Sequence, residues 1–185
     1  ESGNWVTPLV ANKDGEIYAG YSSLYKLCGG WQAISPSFGG LIDVLEIDDL
    51  NPDNIYVGVN STLYKSTDRG ISFTVAESFS SNITSIEVNS SNSAIIYVTT
   101  SGTSNGKVMK SVDGGLTFSD ITGGLPAVTK NVIKHQDFHT QNPLYLGTSL
   151  GVYRYDDSLA DWEAYDNGLP NVSITDLEIN YIDNN

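Results

Sequence analysis

The chain has 185 residues and a formal net charge of −13, from 22 Asp and Glu against nine Lys and Arg. Such a surface repels a phosphate backbone, which argues against nucleic acid as a partner. Cys28 is the only cysteine, so no intrachain disulfide can form, and no apolar run reaches the roughly 18 residues that span a bilayer. The 18 Gly, 11 Tyr and absence of a helical apolar stripe predict one all-β domain over residues 1–185.

Taken in chain order, four types of predicted strand, A to D, follow one another and repeat. Apolar or alternating A strands are predicted at 5–11, 41–47, 83–88 and 131–135. A B strand with the pattern (Ile/Leu)-Tyr-x-(Gly/Thr) follows each of them, at 17–20, 55–58, 96–99 and 144–147. C strands with an apolar-x-cation pattern come next, at 24–26, 63–65, 108–110 and 152–154. An aromatic residue then marks each D strand, at Trp31, Phe73, Phe118 and Trp162.

Four-stranded units that recur roughly every 40 residues are typical of β-propeller blades, because one such unit cannot bury both of its faces alone. The predicted blades cover 5–40, 41–81, 82–129 and 130–171, followed by an extra A strand at 172–179. A β-sandwich is the competing fold, but it does not require the same aromatic in each quarter of the chain. Four blades are the lower limit for closure, so we expect part of a larger propeller, with open edges that allow self-association.

Two segments between C and D strands share the motif S-x-D-x-G-x-x-F. Ser and Asp oxygens can accept backbone N–H groups of a tight turn, Gly tolerates positive φ, and the aromatic returns to the core. A degraded third copy keeps Asp157 and Trp162, and the first is shortened to 27–31. The residues of the two complete copies are Ser66, Asp68, Gly70 and Phe73, and Ser111, Asp113, Gly115 and Phe118.

With these motifs the chain resembles the Asp-box, or BNR-repeat, propellers, which include sialidases, xyloglucanases and the sortilin luminal domain. The segments 5–8 and 168–172 also resemble large secreted surface proteins of polysaccharide-degrading bacteria. The resemblance implies an extracellular or cell-surface location and a glycan or peptide ligand. It also implies three arginines for a sialidase, whereas this chain has only Arg69 and Arg154.

No residue stands in a motif specific for catalysis. A glycosidase needs two carboxylates across a cleft, for which the candidates are Asp48, Asp49, Asp53, Asp137, Asp156 and Asp157. Each of these acids is equally typical of a turn. His135 and His139 have the spacing of helical metal ligands but fall at the end of a strand, and Asp48, Asp49, Asn51 and Asp53 could supply calcium oxygens or form an acidic turn. We expect no cofactor or metal.

The order of the strands also predicts which face binds a ligand. Successive connections in an antiparallel blade alternate between its two ends, so the A–B and C–D turns share one face. The B–C and D–A loops, including 35–40, 101–106 and 123–127, form the other, with Phe38 as the predicted exposed aromatic. The sequence therefore predicts a non-catalytic binding or scaffolding module that binds through this second face. The alternative is a fragment of a xyloglucanase-like glycoside hydrolase.

Overall fold

The computed structural model describes residues 6–181, and the predicted Trp5 lies outside that range. Its 16 strands form four antiparallel sheets, each of four strands paired in chain order. The prediction of an all-β chain built from four-stranded blades is confirmed. Among the described residues, no helix has the length and apolar character to cross a membrane.

The strands follow the A-B-C-D order in every blade. Blade 1 consists of β1 (Leu9–Ala11), β2 (Ile17–Gly20), β3 (Leu24–Leu27) and β4 (Trp31–Ala33). Blade 2 consists of β5 (Val44–Ile47), β6 (Ile55–Val59), β7 (Thr62–Ser66) and β8 (Thr74–Ser78). Blade 3 consists of β9 (Ile83–Val88), β10 (Ile96–Thr100), β11 (Val108–Ser111) and β12 (Ser119–Asp120). Blade 4 consists of β13 (Lys130–His135), β14 (Leu144–Thr148), β15 (Gly151–Tyr155) and β16 (Glu163–Ala164).

The repeated Tyr of each B strand lies directly opposite the repeated cation of the C strand. In the first three blades the ammonium group lies 5.4–5.7 Å from the centre of the Tyr ring, which is a cation–π contact across the ladder. The two sequence patterns therefore describe one packing unit. The opposed pairs are Tyr18 with Lys26, Tyr56 with Lys65, Tyr97 with Lys110 and Tyr145 with Arg154.

Three apolar cores lie between successive blades, and each contains the buried Tyr of the earlier blade. Tyr18 packs between blades 1 and 2, Tyr56 between blades 2 and 3, and Tyr97 between blades 3 and 4. Among the described residues, no strand of blade 1 makes an extensive contact with a strand of blade 4. The four blades therefore form an open arc.

Close contact between blades depends on a Gly in the B strand. Side chains from the next blade approach so closely that a Cβ on Gly20 would lie 2.7 Å from Ile42, and one on Gly58 would lie 3.2 Å from Ile83. Between blades 3 and 4 the same register holds Thr99 and Lys130 instead. There the Thr84 hydroxyl bridges them, 2.8 Å from the Thr99 hydroxyl and 2.7 Å from the Lys130 carbonyl oxygen.

The extra strand predicted at 172–179 does not form as a strand. The segment is irregular, although the Ile174 amide donates to the Thr148 carbonyl at 2.8 Å and the Asn131 side chain donates to the Ile174 carbonyl at 2.8 Å. Ile174 also packs over Gly147, where a Cβ would lie 2.7 Å away. The segment docks on blade 4 as A strands dock on preceding blades, but the described residues supply no B strand to pair with it.

Candidate functional site

The A–B and C–D turns share one face of the arc, as the strand order requires. Arg69, in the C–D turn of blade 2, forms ion pairs with Asp53 at 2.7 Å in the A–B turn of its own blade and with Glu16 at 3.4 Å in blade 1. Arg154 pairs with Asp156. Both arginines therefore have carboxylate partners within turns.

The first complete motif closes its turn through one hydroxyl and one carboxylate. The Ser66 hydroxyl donates to Asp68 at 2.7 Å and accepts the Gly70 amide at 2.9 Å. The Asp68 carboxylate accepts the Ser72 amide at 2.9 Å and the Ser72 hydroxyl at 2.6 Å. Phe73 returns to the core between blades 1 and 2. The Ser66 hydroxyl and the Asp68 carboxylate are thus both used inside the turn.

The second motif repeats this arrangement. The Ser111 hydroxyl donates to Asp113 at 2.8 Å and accepts the Gly115 amide at 2.8 Å. Asp113 accepts the Thr117 amide at 2.9 Å and the Thr117 hydroxyl at 2.6 Å. Phe118 packs edge-to-face on Phe79, with the ring centres 5.4 Å apart. The second turn therefore has the same structural role as the first.

Hydrogen bonds lower the pKa of both motif carboxyls to about 2. The largest cause is the Ser72 hydroxyl for Asp68 and the Thr117 hydroxyl for Asp113, followed by the backbone amides of the same residues. A lowered pKa means that these carboxylates stabilise the fold above their ordinary pKa, and that the stabilisation is lost as the pH falls towards 2.

Asp68→Ala and Asp113→Ala are each expected to lower the melting temperature by about 5 °C at pH 7, because several turn amides lose their acceptor. Differential scanning calorimetry at pH 7 and pH 2.5 measures the effect, which should shrink at the lower pH. Asp166→Ala, at an exposed carboxyl outside these motifs, is the matched control. Equal melting temperatures for Asp68→Ala and wild type at pH 7 would show that the turn does not depend on this carboxylate.

The degraded third copy uses a different acid from the one expected. Asp156, which is buried, accepts the Ser158 amide at 2.8 Å and the Ser158 hydroxyl at 2.6 Å. Asp157 instead accepts the side-chain amide of Asn142 at 2.6 Å. Without Gly at the fifth position of the motif the turn has another shape, and the capping role moves one residue. Trp162 is buried as expected, and its indole N–H donates to the Ile121 carbonyl at 2.8 Å.

The exposed aromatic predicted on the B–C and D–A face is not exposed. Phe38 is half-buried and packs edge-to-face on Tyr64 and Phe73, each with ring centres 5.0 Å apart. It belongs to the core between blades 1 and 2. Phe38 therefore does not provide the free platform expected on this face. Ligand binding by this face stays a prediction.

A cleft opens instead on the A–B face, beside the inner strands of blades 2, 3 and 4. Its volume is about 400 Å³, and it adjoins a shallower hollow of about 610 Å³ that shares Ser90, Asp137 and Phe138 with it. Phe138, between the two, is 90% exposed and has a φ of +57°, which is rare for a bulky side chain. The residues lining the cleft are Asp49, Glu87, Ser90, Lys134, His135, Asp137, Phe138, Glu178, Ile179 and Tyr181.

Three charged side chains stand side by side on the inner strands, because each occupies the position opposite the repeated Tyr. These are Glu46 on β5, Glu87 on β9 and Lys134 on β13. Lys134 pairs with Glu87 at 2.8 Å, and the His135 amide donates to the other Glu87 oxygen at 2.9 Å. Within the part of the chain that the structure describes, Glu46 accepts a hydrogen bond only from the Val88 amide, at 3.4 Å. One ammonium thus serves two neighbouring carboxyls.

Burial raises the pKa of both carboxyls of this row. Desolvation, and then repulsion from Glu87, raise the pKa of Glu46 from its ordinary 4.5 to about 8. Burial raises the pKa of Glu87 as well, but Lys134 and the His135 amide oppose that rise. Because Lys134 contacts Glu87 directly, the pair favours a proton on Glu46.

His135 is buried and neutral, with its tautomer set by neighbouring groups. The Asn89 carbonyl oxygen accepts the Ser91 amide at 3.0 Å, so the Asn89 NH₂ group faces His135 Nε2 at 3.0 Å. Nε2 must then accept, and Nδ1 carries the proton that it donates to Ser90, 3.0 Å away. Burial lowers the pKa of His135, in agreement with this neutral form.

The histidine pair and the acidic turn do not gather metal ligands. His139 lies on an exposed loop and accepts the Gln141 amide at 3.2 Å. Asp48 is buried and accepts the amides of Leu50 at 2.9 Å and Asn51 at 3.2 Å, which makes it the cap of its turn. No group of three or more metal-ligating side chains occurs among residues 6–181.

The candidate catalytic acids are dispersed. Asp49 and Asp137 line the cleft, whereas Asp48 and Asp156 cap turns, and Asp53 and Asp157 pair with Arg69 and Asn142. Sequence reasoning missed Glu46, Glu87, Lys134 and Phe138. The recurring apolar-Glu-apolar triplet of the A strands, at 45–47 and 86–88, was the available signal for the first two.

No family model matches the chain, and no curated protein matches it. Solved structures do resemble it. The GH74 enzyme of Niastella koreensis superimposes with a TM-score of 0.69 at 20% identity, over 88% of this chain and 30% of the enzyme. The GH74 xyloglucanase of Xanthomonas campestris gives 0.72 at 15% identity, over 91% of this chain and 31% of the enzyme.

A third similar structure is the extracellular domain of a protein described as a hybrid two component system from B. thetaiotaomicron. It gives a TM-score of 0.66 at 16% identity, over 88% of this chain and 22% of the other. This chain therefore spans less than a third of the length of each of these three structures. At such identities the likeness shows the fold alone: the class is the β-propeller, built from four-stranded antiparallel blades.

Proposed function

We propose that the chain is a non-catalytic, ligand-binding segment of an extracellular Asp-box propeller, and that a neutral glycan binds in the cleft of the A–B face. One observation carries the proposal: the 90% exposed Phe138 ring, held in a rare backbone conformation between two adjoining hollows. Exposed aromatics at strained positions are costly to maintain, and they cluster at binding sites.

The chemistry of the cleft suits a sugar. The face of an aromatic ring stacks on the C–H face of a pyranose, and carboxylates accept its hydroxyl protons. Tyr181 stands against Phe138 with ring centres 5.9 Å apart, so two rings flank the acids. Asp49, Glu87, Asp137 and Glu178 would repel a carboxylated or sulfated glycan, and this selects for a neutral one.

The extracellular location is supported by the names of the similar structures, which include a xyloglucanase and an extracellular domain. The Asp-box assignment is supported by the two matching turns at Asp68 and Asp113. The Ser hydroxyl and the Asp carboxylate of each turn bond to groups of the same turn, so a role in stability suits them better than ligand contact.

Phe138→Ala should weaken binding of a neutral oligosaccharide at least tenfold, because the central stacking surface is lost. Isothermal titration calorimetry with neutral plant and microbial oligosaccharides measures it, after an array has chosen the tightest. Leu116→Ala is the matched control, since Leu116 is 79% exposed on a C–D turn of the same face. Equal affinity of Phe138→Ala and wild type, or binding of acidic glycans only, would contradict the proposal.

The alternative function, part of a glycoside hydrolase, is favoured by one feature. The pKa of Glu46 is raised to about 8, whereas Lys134 and the His135 amide oppose the rise in the pKa of Glu87, and acid and base pairs of hydrolases differ in pKa. Both Glu87 oxygens are however engaged, by Lys134 and the His135 amide, which leaves it poorly placed to act as a base or nucleophile. Release of reducing ends by the wild type, abolished in Glu87→Gln, would establish hydrolysis and refute the non-catalytic proposal.

A further inference from the structure

The A–B loop of blade 4 begins without a side-chain cap that the other three A–B loops share. In those loops the first residue after the A strand is Asn or Asp, and its side-chain oxygen accepts the backbone amide two residues further on. Such Asx turns fix the direction of a loop at its start. The bonds run from the Asp14 amide to Asn12 at 3.1 Å, from the Leu50 amide to Asp48 at 2.9 Å and from the Ser91 amide to Asn89 at 3.0 Å.

In blade 4 the same position holds Gln136, whose side chain has another partner. Its oxygen accepts the Tyr145 hydroxyl at 3.0 Å, which ties it to β14 rather than to its own loop. The amide two residues further on, that of Phe138, donates instead to the carboxylate of Asp137 at 2.8 Å. The usual cap is therefore missing immediately before Phe138.

The hydroxyl of Tyr181 bonds to this part of the loop from outside it. The Asp137 amide donates to the hydroxyl oxygen at 2.7 Å. The ring of Tyr181 meets Phe138 edge-to-face, with ring centres 5.9 Å apart and an angle of 89° between the planes. One side chain thus restrains both the backbone before Phe138 and the ring of Phe138 itself.

Phe138 needs a restraint of this kind. Its φ of +57° lies in the left-handed region, which is unfavourable for any residue with a Cβ. Its ring is 90% exposed, so burial contributes little to holding it in place. Without the bond to Tyr181 the loop should populate other backbone conformations, and in these the ring would leave its place between the two hollows.

We propose that Tyr181 is a positioning residue of the cleft: its hydroxyl replaces the missing Asx cap and holds Phe138 in the conformation that binds ligand. This role rests on the proposed glycan site, since Phe138 is the stacking surface of that site. A ligand binds more weakly in proportion to the fraction of molecules that lack the competent conformation. Loss of the hydroxyl should therefore lower affinity even though both aromatic rings remain.

Hydrogen exchange without any ligand tests the restraint. Tyr181→Phe keeps the ring and removes the hydroxyl, so the Asp137 and Phe138 amides should exchange about fivefold faster than in wild type, the scale of one hydrogen bond. Two-dimensional NMR follows both amides individually, and the melting temperature should not change. Tyr165→Phe is the matched control, because Tyr165 is 52% exposed and Tyr181 is 49% exposed. Exchange that is equally slow in Tyr181→Phe and wild type would overturn the proposal, whatever the chain binds.

A double-mutant cycle tests whether Tyr181 acts through Phe138. Isothermal titration calorimetry uses the neutral oligosaccharide that the array selects. Tyr181→Phe should weaken binding about fivefold in the wild-type background and leave it unchanged in the Phe138→Ala background. An equal loss in both backgrounds would overturn the proposal, because Tyr181 would then act on the sugar directly. Faster exchange in Tyr181→Phe, in a chain whose wild type binds no neutral glycan, would refute the proposed function and still support the restraint on Phe138.

Discussion

Gly20→Ala is expected to lower the free energy of unfolding by about 3 kcal/mol, because the added methyl group has no room between blades 1 and 2. A Cβ at this position would lie 2.7 Å from Ile42 Cγ2 and 2.9 Å from both Ile42 Cβ and Pro8. Ile42 is fully buried and β-branched, so it cannot rotate away. Relief therefore requires the two blades to separate.

Two other glycine substitutions should lower the free energy of unfolding by smaller amounts, because the added Cβ has more room. Gly58→Ala should cost less, because its nearest neighbour would be Ile83 at 3.2 Å, and Gly30→Ala should be nearly neutral, because nothing lies within 4 Å of the added atom. Urea unfolding of the three variants gives the order directly. Equal stability of Gly20→Ala and Gly30→Ala would mean that the blades adjust without cost, contrary to the close contact described.

The repeat made most of the fold predictable from the sequence. The Tyr of the B strand and the cation of the C strand recur because the two residues face each other across the same ladder in each blade, as Tyr18 with Lys26 and Tyr97 with Lys110 show. The hydrogen bonds within the turns could also be predicted from the sequence, since Ser66 and Asp68 bond to groups at most four residues away. Interactions that recur in every blade, or that join residues close in the chain, produce patterns that can be recognised in the sequence.

Non-local interactions were harder to predict. Phe38 looked like an exposed loop aromatic, but Tyr64 and Phe73 of the next blade cover it. Glu46, Glu87 and Lys134 belong to three different blades, and the packing of the inner strands side by side brings them together. The segment 172–179 has strand character in its sequence, yet a strand also needs a partner, which the described residues do not provide.

Glu46→Gln should abolish a pH dependence of stability that wild type shows between pH 5 and pH 8.5. The folded state raises the pKa of Glu46 from 4.5 to about 8, so over this interval the folded chain binds a proton that the unfolded chain has lost. The contribution of Glu46 to the free energy of unfolding is therefore fully present below pH 4.5 and is lost as the pH rises through 8.

The expected loss in wild type is about 2 kcal/mol across this interval, less than the full shift implies, because part of Glu46 remains in contact with solvent. Gln has the shape of the protonated acid and cannot ionise. Glu46→Gln should therefore match wild type at pH 5 and exceed it by about 2 kcal/mol at pH 8.5. Urea unfolding at several pH values measures the difference, in which the titration of all other groups largely cancels.

The exposed Glu163 supplies the control, because Glu163→Gln removes one negative charge from the same chain outside the inner row. This variant should follow the wild-type pH profile throughout. Lys134→Met removes the ammonium that contacts Glu87 and attracts Glu46, so the loss of stability in this variant should grow as the pH rises and Glu46 begins to ionise. A difference between Glu46→Gln and wild type that stayed constant from pH 5 to pH 8.5 would show that Glu46 is already ionised at neutral pH, and Glu87 would then share Lys134 with a second charged carboxylate.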